Sequence, residues 1–307
     1  METSIRIITN PQEVHAVEDL QQLVWPGADT EIVPAHLLIA AITHGGLLIG
    51  AFNEQPDAMD SLLGFVFGFP GFYQTPDGPR LMHCSHLLGI HPEYRDQGIG
   101  YKLKRAQWQM VRHQGIDRIV WTYDPLISRN ARLNITKLGA VCNTFLENYY
   151  GDLRDDLNIG LPTDRFLVDW WVNTQRVFVR LSWNARRHLN LDHYLNAEAK
   201  LVNPSSLRPD GLPEPGLRID IPQIKSHSGI VVGQRGSEFP ALLLVEIPAD
   251  FLHLKAVDFT LAVQWRRQFR EIIKELFRRG YLVTDFVHQS GNNPRSFYIL
   301  SYGESTL

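Results

Sequence analysis

The pattern of apolar and polar residues predicts alternating strands and helices along the first half of the chain. Residues 4–8 alternate and carry β-branched side chains, which predicts a first strand, and a helix follows to about residue 25. A second helix is expected after Pro34, because proline is favoured at the first turn of a helix. Three further strands are predicted at 47–52, 62–69 and 80–90, with a loop rich in glycine, proline and aromatic residues at 71–79.

The clearest amphipathic pattern of this half follows the fourth strand. Spacings of four, three and four residues place four apolar side chains on one face of a helix: Ile99, Leu103, Ala106 and Met110. Gly115 stands where such a helix usually ends. A strand at 118–124, a helix at 128–138 and a strand at 140–145 complete the order β-α-α-β-β-β-α-β-α-β.

The second half begins after Trp171 and contains the strongest helix of the chain. This helix is predicted at 258–279, with apolar positions three and four residues apart. Strands are expected before and after it, at 177–181, 217–221, 229–232, 241–247, 281–287 and 296–302. We therefore predict two domains, 1–174 and 175–307, of which the second is an α/β domain.

Composition indicates a globular protein with room for two cores. The chain has 307 residues, of which 44% are hydrophobic and 21% charged. A net charge of −3 argues against general binding of nucleic acid, and no apolar run approaches the roughly 18 residues that span a bilayer. The N-terminus has no apolar signal core, which predicts a cytoplasmic protein. Cys84 and Cys142 lie in apolar runs, so we expect reduced thiols and no metal site.

The candidate chemistry lies between the fourth strand and the helix that follows it. Pro92 ends the apolar run, and the segment Arg95-Asp96-Gln97-Gly98-Ile99-Gly100 leads into the helix. The first turn of a helix has unpaired N–H groups and the positive end of the dipole, so this arrangement suits an anion. Glycines at 98 and 100 would let a diphosphate approach the backbone closely. A dinucleotide-binding fold or a P-loop fits poorly, because their other motif residues do not follow.

The spacing Arg-x-x-Gly-x-Gly, in this strand–loop–helix context, resembles the acyl-CoA signature of the GNAT acetyltransferases. The segments 124–131, 137–140 and 160–166 also resemble a group of two-domain bacterial GNAT proteins. The resemblance covers about residues 4–148 and implies the GNAT fold, an α/β (α+β) fold in which helices flank a mixed central sheet. The C-terminal half is then either a degenerate GNAT-like module or a plain α/β domain.

The resemblance also implies how acetyl-CoA would be held. The backbone of Leu88, Gly89 and Ile90 would run beside the pantetheine arm. The diphosphate would lie against the turn, whose residues are Arg95, Asp96, Gln97, Gly98, Ile99, Gly100 and Tyr101. Asn130 would lie near the pantetheine at the start of the next helix. Acetyl-CoA is therefore the expected cofactor.

The catalytic groups depart from the family pattern. Many GNAT enzymes have a proton-donating tyrosine where this chain has Ile135. Tyr149, Tyr150 and Tyr123 are candidates for that role, although each is also explained as an amphipathic packing residue. His86 is the candidate base, because an imidazole with a pKa of about 6.5 relays protons at neutral pH, although a purely structural histidine is the alternative.

These patterns predict an N-acetyltransferase that moves an acetyl group from acetyl-CoA to the amine of a small molecule or amino acid by direct attack. The alternative is a non-catalytic acyl-CoA-binding or regulatory protein of GNAT descent, because Ile135 replaces the usual acid. Asp124 either holds a cationic acceptor or caps a turn. Arg165 either holds a substrate carboxylate or stabilises the fold. Exposed strands could pair across a two-fold axis, which would form a homodimer.

Overall fold

Strands and helices both occur in the computed structural model, which describes residues 3–26, 32–54, 62–151, 160–182, 189–217 and 239–304. The element order predicted for residues 4–148 is observed. The chain divides into two compact units. The first comprises Met1–Trp121, Asp152–Gly160 and Trp170–Thr174, and the second comprises Thr122–Gly151, Leu161–Asp169 and Gln175–Leu307.

The first unit contains a mixed sheet. Its elements are β1 (Thr3–Ile7), α1 (Pro11–Val24), α2 (Ala35–Thr43), β2 (Leu47–Asn53), β3 (Leu62–Thr75), β4 (Gly78–Ile90), a 3₁₀ turn (Pro92–Tyr94), α3 (Ile99–His113) and β5 (Arg118–Tyr123), whose last two residues belong to the second unit. The strand order is β1-β2-β3-β4-β5. Neighbours from β1 to β4 are antiparallel, whereas β4 and β5 are parallel.

Helices cover both faces of this sheet because successive side chains of a strand point to opposite faces. Phe65 and Phe67 of β3 pack with α1 and α2, in a core that includes Leu38. Val66, between them, packs on the other face with Leu103 of α3. The predicted α/β fold, a mixed central sheet flanked by helices, is confirmed.

The loop predicted at 71–79 is instead a hairpin, so that prediction was wrong. β3 continues to Thr75 and β4 begins at Gly78, with Phe72 opposite Leu81. Aromatic residues favour the pleated surface of a strand, and they outweigh the glycine and proline that suggested a loop. The Thr75 hydroxyl donates to the Gly78 carbonyl at 2.7 Å and closes the turn.

The second unit contains the remaining elements. These are α4 (Ser128–Ala131), a π-helical turn (Arg132–Lys137), β6 (Val141–Leu146), β7 (Arg165–Trp171), α5 (Gln175–Leu181), α6 (Leu191–Asn196), β8 (Lys200–Leu201), β9 (Ser205–Leu207), β10 (Pro213–Pro215), β11 (Leu242–Pro248), α7 (Phe251–Val257), α8 (Phe259–Arg278), β12 (Tyr281–Gln289) and β13 (Arg295–Tyr302). The last two residues of β7 belong to the first unit. No helix in the described ranges has both the length and the apolar composition needed to cross a bilayer.

The predicted long helix is confirmed as α8, and its N-cap is Asp258, whose carboxylate accepts the Leu261 N–H at 2.9 Å. The strand predicted at 177–181 is wrong, because these residues form α5. Val177 and Leu181 are its buried residues, and a spacing of four places them on one helical face. The strand predicted at 229–232, and all but the first residue of the one at 217–221, lie outside the described residues.

Strand order in the second unit repeats itself. From the end of β5 the order is β5-β7-β6-β12-β13-β11-β8. The connection β5-α4-β6-β7 thus has the same arrangement as β11-α8-β12-β13, with the last strand between the other two. β6 and β12 pair antiparallel at Cys142 and Val283, and the two arrangements run outward from this pair. Each outer strand also has a parallel neighbour, β4 for β5 and β8 for β11.

This repetition corresponds to the strand–helix–strand–strand order seen in the sequence of the second half. Its interpretation as a degenerate GNAT-like module stays a prediction. The compact units also divide the chain differently from the predicted domains 1–174 and 175–307. Residues 122–151 and 161–169 belong with the C-terminal half, because β6 pairs with β12. The predicted domain boundary itself stays a prediction.

Candidate functional site

The candidate anion site is the turn between β4 and α3, within the first unit. Gly98 is the N-cap of α3 with φ +81°, and Asp96 is also left-handed with φ +62°. A Cβ built on Gly98 would have no heavy atom within 4 Å, so the space beside it is open. The first turn of this 15-residue helix contains no acidic side chain. The turn therefore presents first-turn N–H groups and the positive end of the helix dipole to an open space.

The predicted cofactor residues of this turn are consecutive in the chain, and their side chains have different roles. Ile99 is buried in the core, so it can serve a ligand only through its backbone. Gln97 is exposed, and its side-chain amide donates to the Glu93 carbonyl. Arg95 donates to the carbonyl of Val24, the last residue of α1, at 3.4 Å. Roles for these residues, and for Asp96, Gly100 and Tyr101, in holding a diphosphate stay predictions.

The strand residues predicted beside the pantetheine lie at the end of β4. On one edge, Leu88, Gly89 and Ile90 pair with β3. On the other edge, the pairing with β5 joins His83 to Ile119 and Cys84 to Val120, and no later register pair occurs among the described residues of these strands. The final part of β4 therefore has an edge where an extended ligand can add backbone hydrogen bonds.

His86 is the extra residue of a β-bulge in β4. Leu87 lies opposite Phe67 and Ser85 lies opposite Gly68, so His86 has no partner on β3. Its ring centroid lies 6.2 Å from that of Phe67 and 5.8 Å from that of Phe69. Although part of His86 is exposed, desolvation lowers its pKa below the usual value and so favours the neutral imidazole. The sequence suggested His86 as the candidate base, but nothing in the sequence indicated the bulge.

A buried polar network under β4 was missed by the sequence analysis. The Lys104 Nζ donates to Ser85 Oγ at 3.0 Å and to Gln107 Oε1 at 2.8 Å. The Gln107 amide in turn donates to His83 Nε2 at 3.2 Å. Burial, and then the charge of Lys104, lower the pKa of His83 to about 3, and burial lowers the pKa of Lys104 strongly. A lysine and a glutamine three residues apart on a helix suggest a solvated face, so the sequence pattern did not indicate that Lys104 and Gln107 are buried.

The other predicted site residues lie in the second unit. Asn130 is half-buried in α4. Tyr149 and Tyr150 follow β6, are both exposed, and meet edge to face with ring centroids 4.7 Å apart. A hydrogen bond of 2.8 Å joins the Tyr150 hydroxyl to Thr122 near the end of β5. Ile135, which replaces the usual tyrosine, is fully buried.

Asp124, at the end of β5, is neutralised within the second unit. Arg266 holds its two carboxylate oxygens at 2.8 and 2.6 Å, and the Leu126 N–H donates to it at 2.9 Å. Burial alone would raise the pKa of Asp124, but the charge and hydrogen bonds of Arg266, with Arg165, lower it below the usual value. Of the two interpretations of Asp124, the cap of a turn is the one observed.

No family model matches the chain, and no curated protein matches it. Solved structures resemble part of it. NAA60 of Arabidopsis thaliana in complex with acetyl-CoA is 17% identical, over 55% of this chain and 99% of that chain, with a TM-score of 0.45. An acetyltransferase of the GNAT family from Streptococcus pneumoniae is 16% identical, over 55% and 98%, with a TM-score of 0.43.

The ribosomal-protein-S18-alanine N-acetyltransferase from Escherichia coli is 13% identical, over 61% of this chain and 100% of that chain, with a TM-score of 0.41. At these identities and TM-scores the likenesses assign neither an acceptor nor a reaction to this chain.

Proposed function

We propose that this protein is an acyl-CoA-dependent N-acetyltransferase that acetylates the amine of a small molecule or amino acid. One observation carries the proposal. The open left-handed turn at Gly98 begins a 15-residue helix, and the strand before it, separated by the 3₁₀ turn Pro92–Tyr94, has no register pair with β5 beyond Cys84 among the described residues. Coenzyme A carries a diphosphate and an extended arm with amides, so it needs an anion site that continues into a strand edge.

Different residues of this chain would bind the diphosphate and the pantetheine arm of coenzyme A. Backbone N–H groups from Gln97 to Tyr101 would hold the diphosphate, where the helix dipole favours negative charge. The backbone of Leu88 to Ile90 would bind the amides of the pantetheine arm as an added strand does. The role near the pantetheine that the family resemblance implies for Asn130 stays a prediction.

Acetyl-CoA would supply the activated acetyl group. The amine attacks the thioester carbonyl, so a C–N bond forms while the C–S bond breaks and a thiolate leaves. His86 would accept the proton of the amine, since its lowered pKa keeps it neutral. The thiolate takes up a proton as it leaves, and the roles of Tyr149 and Tyr150 as its donor stay predictions.

The binding test replaces Gly98 by aspartate. A carboxylate there would meet the diphosphate, and two like charges about 4 Å apart repel by about 4 kcal/mol at a protein surface. We therefore expect Gly98→Asp to weaken acetyl-CoA binding by more than about 100-fold in calorimetric titration.

Gly115→Asp is the matched control. Gly115 is also left-handed, with φ +74°, also faces open space, and lies at the other end of α3. The two variants therefore carry similar backbone strain, but only one places a charge at the anion site. Undiminished binding in Gly98→Asp, or no binding to the wild type, would contradict the cofactor placement.

The buried Ile135 favours the second candidate, a non-catalytic acyl-CoA-binding protein. Thiol release from acetyl-CoA in the presence of a panel of amines and amino acids separates the two. Turnover with any acceptor supports the transferase. Tight binding without turnover across the panel supports the binding protein.

A further inference from the structure

Lys104 is a fully buried lysine that forms no ion pair with a carboxylate in the described part of the chain. Its Nζ lies 3.8 Å from the ring centroid of Trp121 and 5.3 Å from that of Trp170. This amine donates hydrogen bonds to Ser85 and Gln107. The amine is thus enclosed by aromatic rings and two neutral polar side chains.

Such a side chain is costly to bury. An uncompensated ammonium loses its hydration, and desolvation here lowers the pKa of Lys104 well below its usual value. An apolar residue of similar length would fill the same volume without that penalty. Because an apolar residue would be less costly here, the hydrogen bonds of Lys104 indicate a role beyond filling space.

These hydrogen bonds form a ladder between α3 and β4. Lys104 and Gln107 lie one turn apart on the helix, and their partners Ser85 and His83 lie two residues apart on the strand. The Ser85 hydroxyl also donates to Gln107 at 3.0 Å. Gly68 of β3 leaves room for the ladder, because a Cβ there would lie 2.3 Å from His83 Nε2.

The ladder connects the two ends of the proposed site within the first unit. Ser85 immediately precedes the bulge at His86, whereas α3 begins at the Gly98 turn. From residue 90 back to residue 86 the strand spans about 13 Å. An arm that runs along β4 from the turn would therefore bring the acyl end toward the bulge.

We propose that Lys104 is a positioning residue, which holds Ser85 and the adjacent bulge at a set distance from α3 so that the bulge recognises the acyl group of the bound thioester. This inference rests on the proposed function. It concerns only the acyl end, since the diphosphate and the arm would bind to the turn and the strand edge.

The test compares the affinities for acetyl-CoA and for coenzyme A, which share every group except the acetyl. In Lys104→Met we expect the preference for acetyl-CoA over coenzyme A to fall by about fivefold, the effect of one displaced hydrogen bond. The affinity for coenzyme A should change by less than about threefold. Ser85→Ala should give the same shift, and the double variant no more, because both remove one interaction.

Lys102→Met is the matched control. Lys102 is exposed on the same helix, near its first turn. Loss of its charge should affect both ligands equally and leave their ratio unchanged. A general loosening of the fold would likewise weaken both ligands together, so the ratio separates positioning from stability.

The outcomes are distinct. If the wild type binds neither ligand, the proposed function fails and this inference fails with it. If the wild type binds both and Lys104→Met keeps its preference within twofold, the inference is wrong while the proposed function stands. Should Lys104→Met not fold, Ser85→Ala carries the same test, since it removes a single oxygen atom.

Discussion

Two histidines on β4 differ in their chemistry although they lie three positions apart. His83 is fully buried beside Lys104, and its pKa is lowered to about 3 by desolvation and by that charge. His86 occupies the bulge, is partly exposed, and has a pKa that is lowered by desolvation alone. His86 is therefore accessible to solvent, whereas His83 belongs to the buried network beneath the strand.

The proposed role of His86 as a base predicts a change in the pH profile. A base works when neutral, so activity should fall as the pH drops through its lowered pKa, which places the acidic limb of kcat/KM below about 6.5. In His86→Gln that limb should disappear and turnover should fall by about 100-fold. The measurement is acetyl transfer to whichever amine supports thiol release.

His113→Gln is the control for this experiment, because His113 is an exposed histidine at the other end of α3. Its profile should match that of the wild type. An acidic limb that persists in His86→Gln would assign the base to another group.

At the scale of elements, helix ends depend on left-handed glycines. Gly139 closes the π-helical turn with φ +75°, and Gly280 follows α8 with φ +88°. A Cβ on Gly280 meets its nearest atom at an ordinary 3.8 Å. A Cβ on Gly139 would lie 2.8 Å from the Cγ of Arg180, whose guanidinium is held by Asp285 at 2.6 Å.

The two glycines therefore predict different costs for the same substitution. Gly280→Ala should lower the free energy of unfolding by about 1 kcal/mol, the cost of a left-handed alanine. Gly139→Ala should cost more, about 2 kcal/mol or above, because the clash with Arg180 adds to the same strain. Urea unfolding measures both, and equal losses would show that Arg180 moves aside freely.

The π-helical turn itself shows how an element departs from its sequence pattern. Regular helical spacing would place the apolar Ala131, Ile135 and Leu138 on one face of the helix predicted at 128–138, and it gives no reason to expect the polar Asn134 to be buried. The wider turn buries both Asn134 and Ile135. A residue added to one helical turn rotates the following side chains, and the apolar spacing alone does not reveal it.

At the scale of the whole molecule, ion pairs between residues far apart in the chain stabilise the second unit. Asp124 and Arg266 are 142 positions apart and form a bidentate pair that is mostly buried. Removing one member leaves the other charge buried without its partner, which costs about 3–5 kcal/mol. Exposed pairs contribute about 1 kcal/mol or less, because water and salt screen them.

Asp124→Asn should therefore destabilise the second unit by about 3 kcal/mol or more at pH 7. The pKa of Asp124 is lowered in the folded state, so its stabilisation is present above the unfolded value of about 3.9 and is lost as the pH falls through the folded value. The difference in urea unfolding between the wild type and Asp124→Asn should shrink accordingly in acid.

Glu147→Gln is the comparison, since Glu147 forms exposed pairs with Arg270 and Lys274. We expect a loss within about 1 kcal/mol. A loss in Asp124→Asn no larger than in Glu147→Gln would mean that Arg266 finds other partners or water.

The repeated strand order of the second unit also belongs to this scale. Two strand–helix–strand–strand connections run outward from the antiparallel pair β6 and β12. The sequence showed the order of the second connection, because that order depends on local periodicity. The pairing of Cys142 with Val283 joins residues far apart in the chain, so only the folded structure reveals it.

By itself, the sequence determined the features that depend on neighbouring residues. The stripe of α8, the element order through β6 and the glycine turn before α3 all follow from spacings of a few residues. Turn chemistry is equally local, since a left-handed position such as that of Gly98 favours glycine.

Tertiary structure decided what depends on partners from elsewhere in the chain. The bulge at His86 arises from its register with β3, and Lys104 is buried because Trp121 and Trp170 cover it. Asp124 is neutralised by a residue of α8 rather than left open to a ligand. In each case burial or pairing shifts the pKa of the side chain, and neither is encoded in the spacing of residues along the chain.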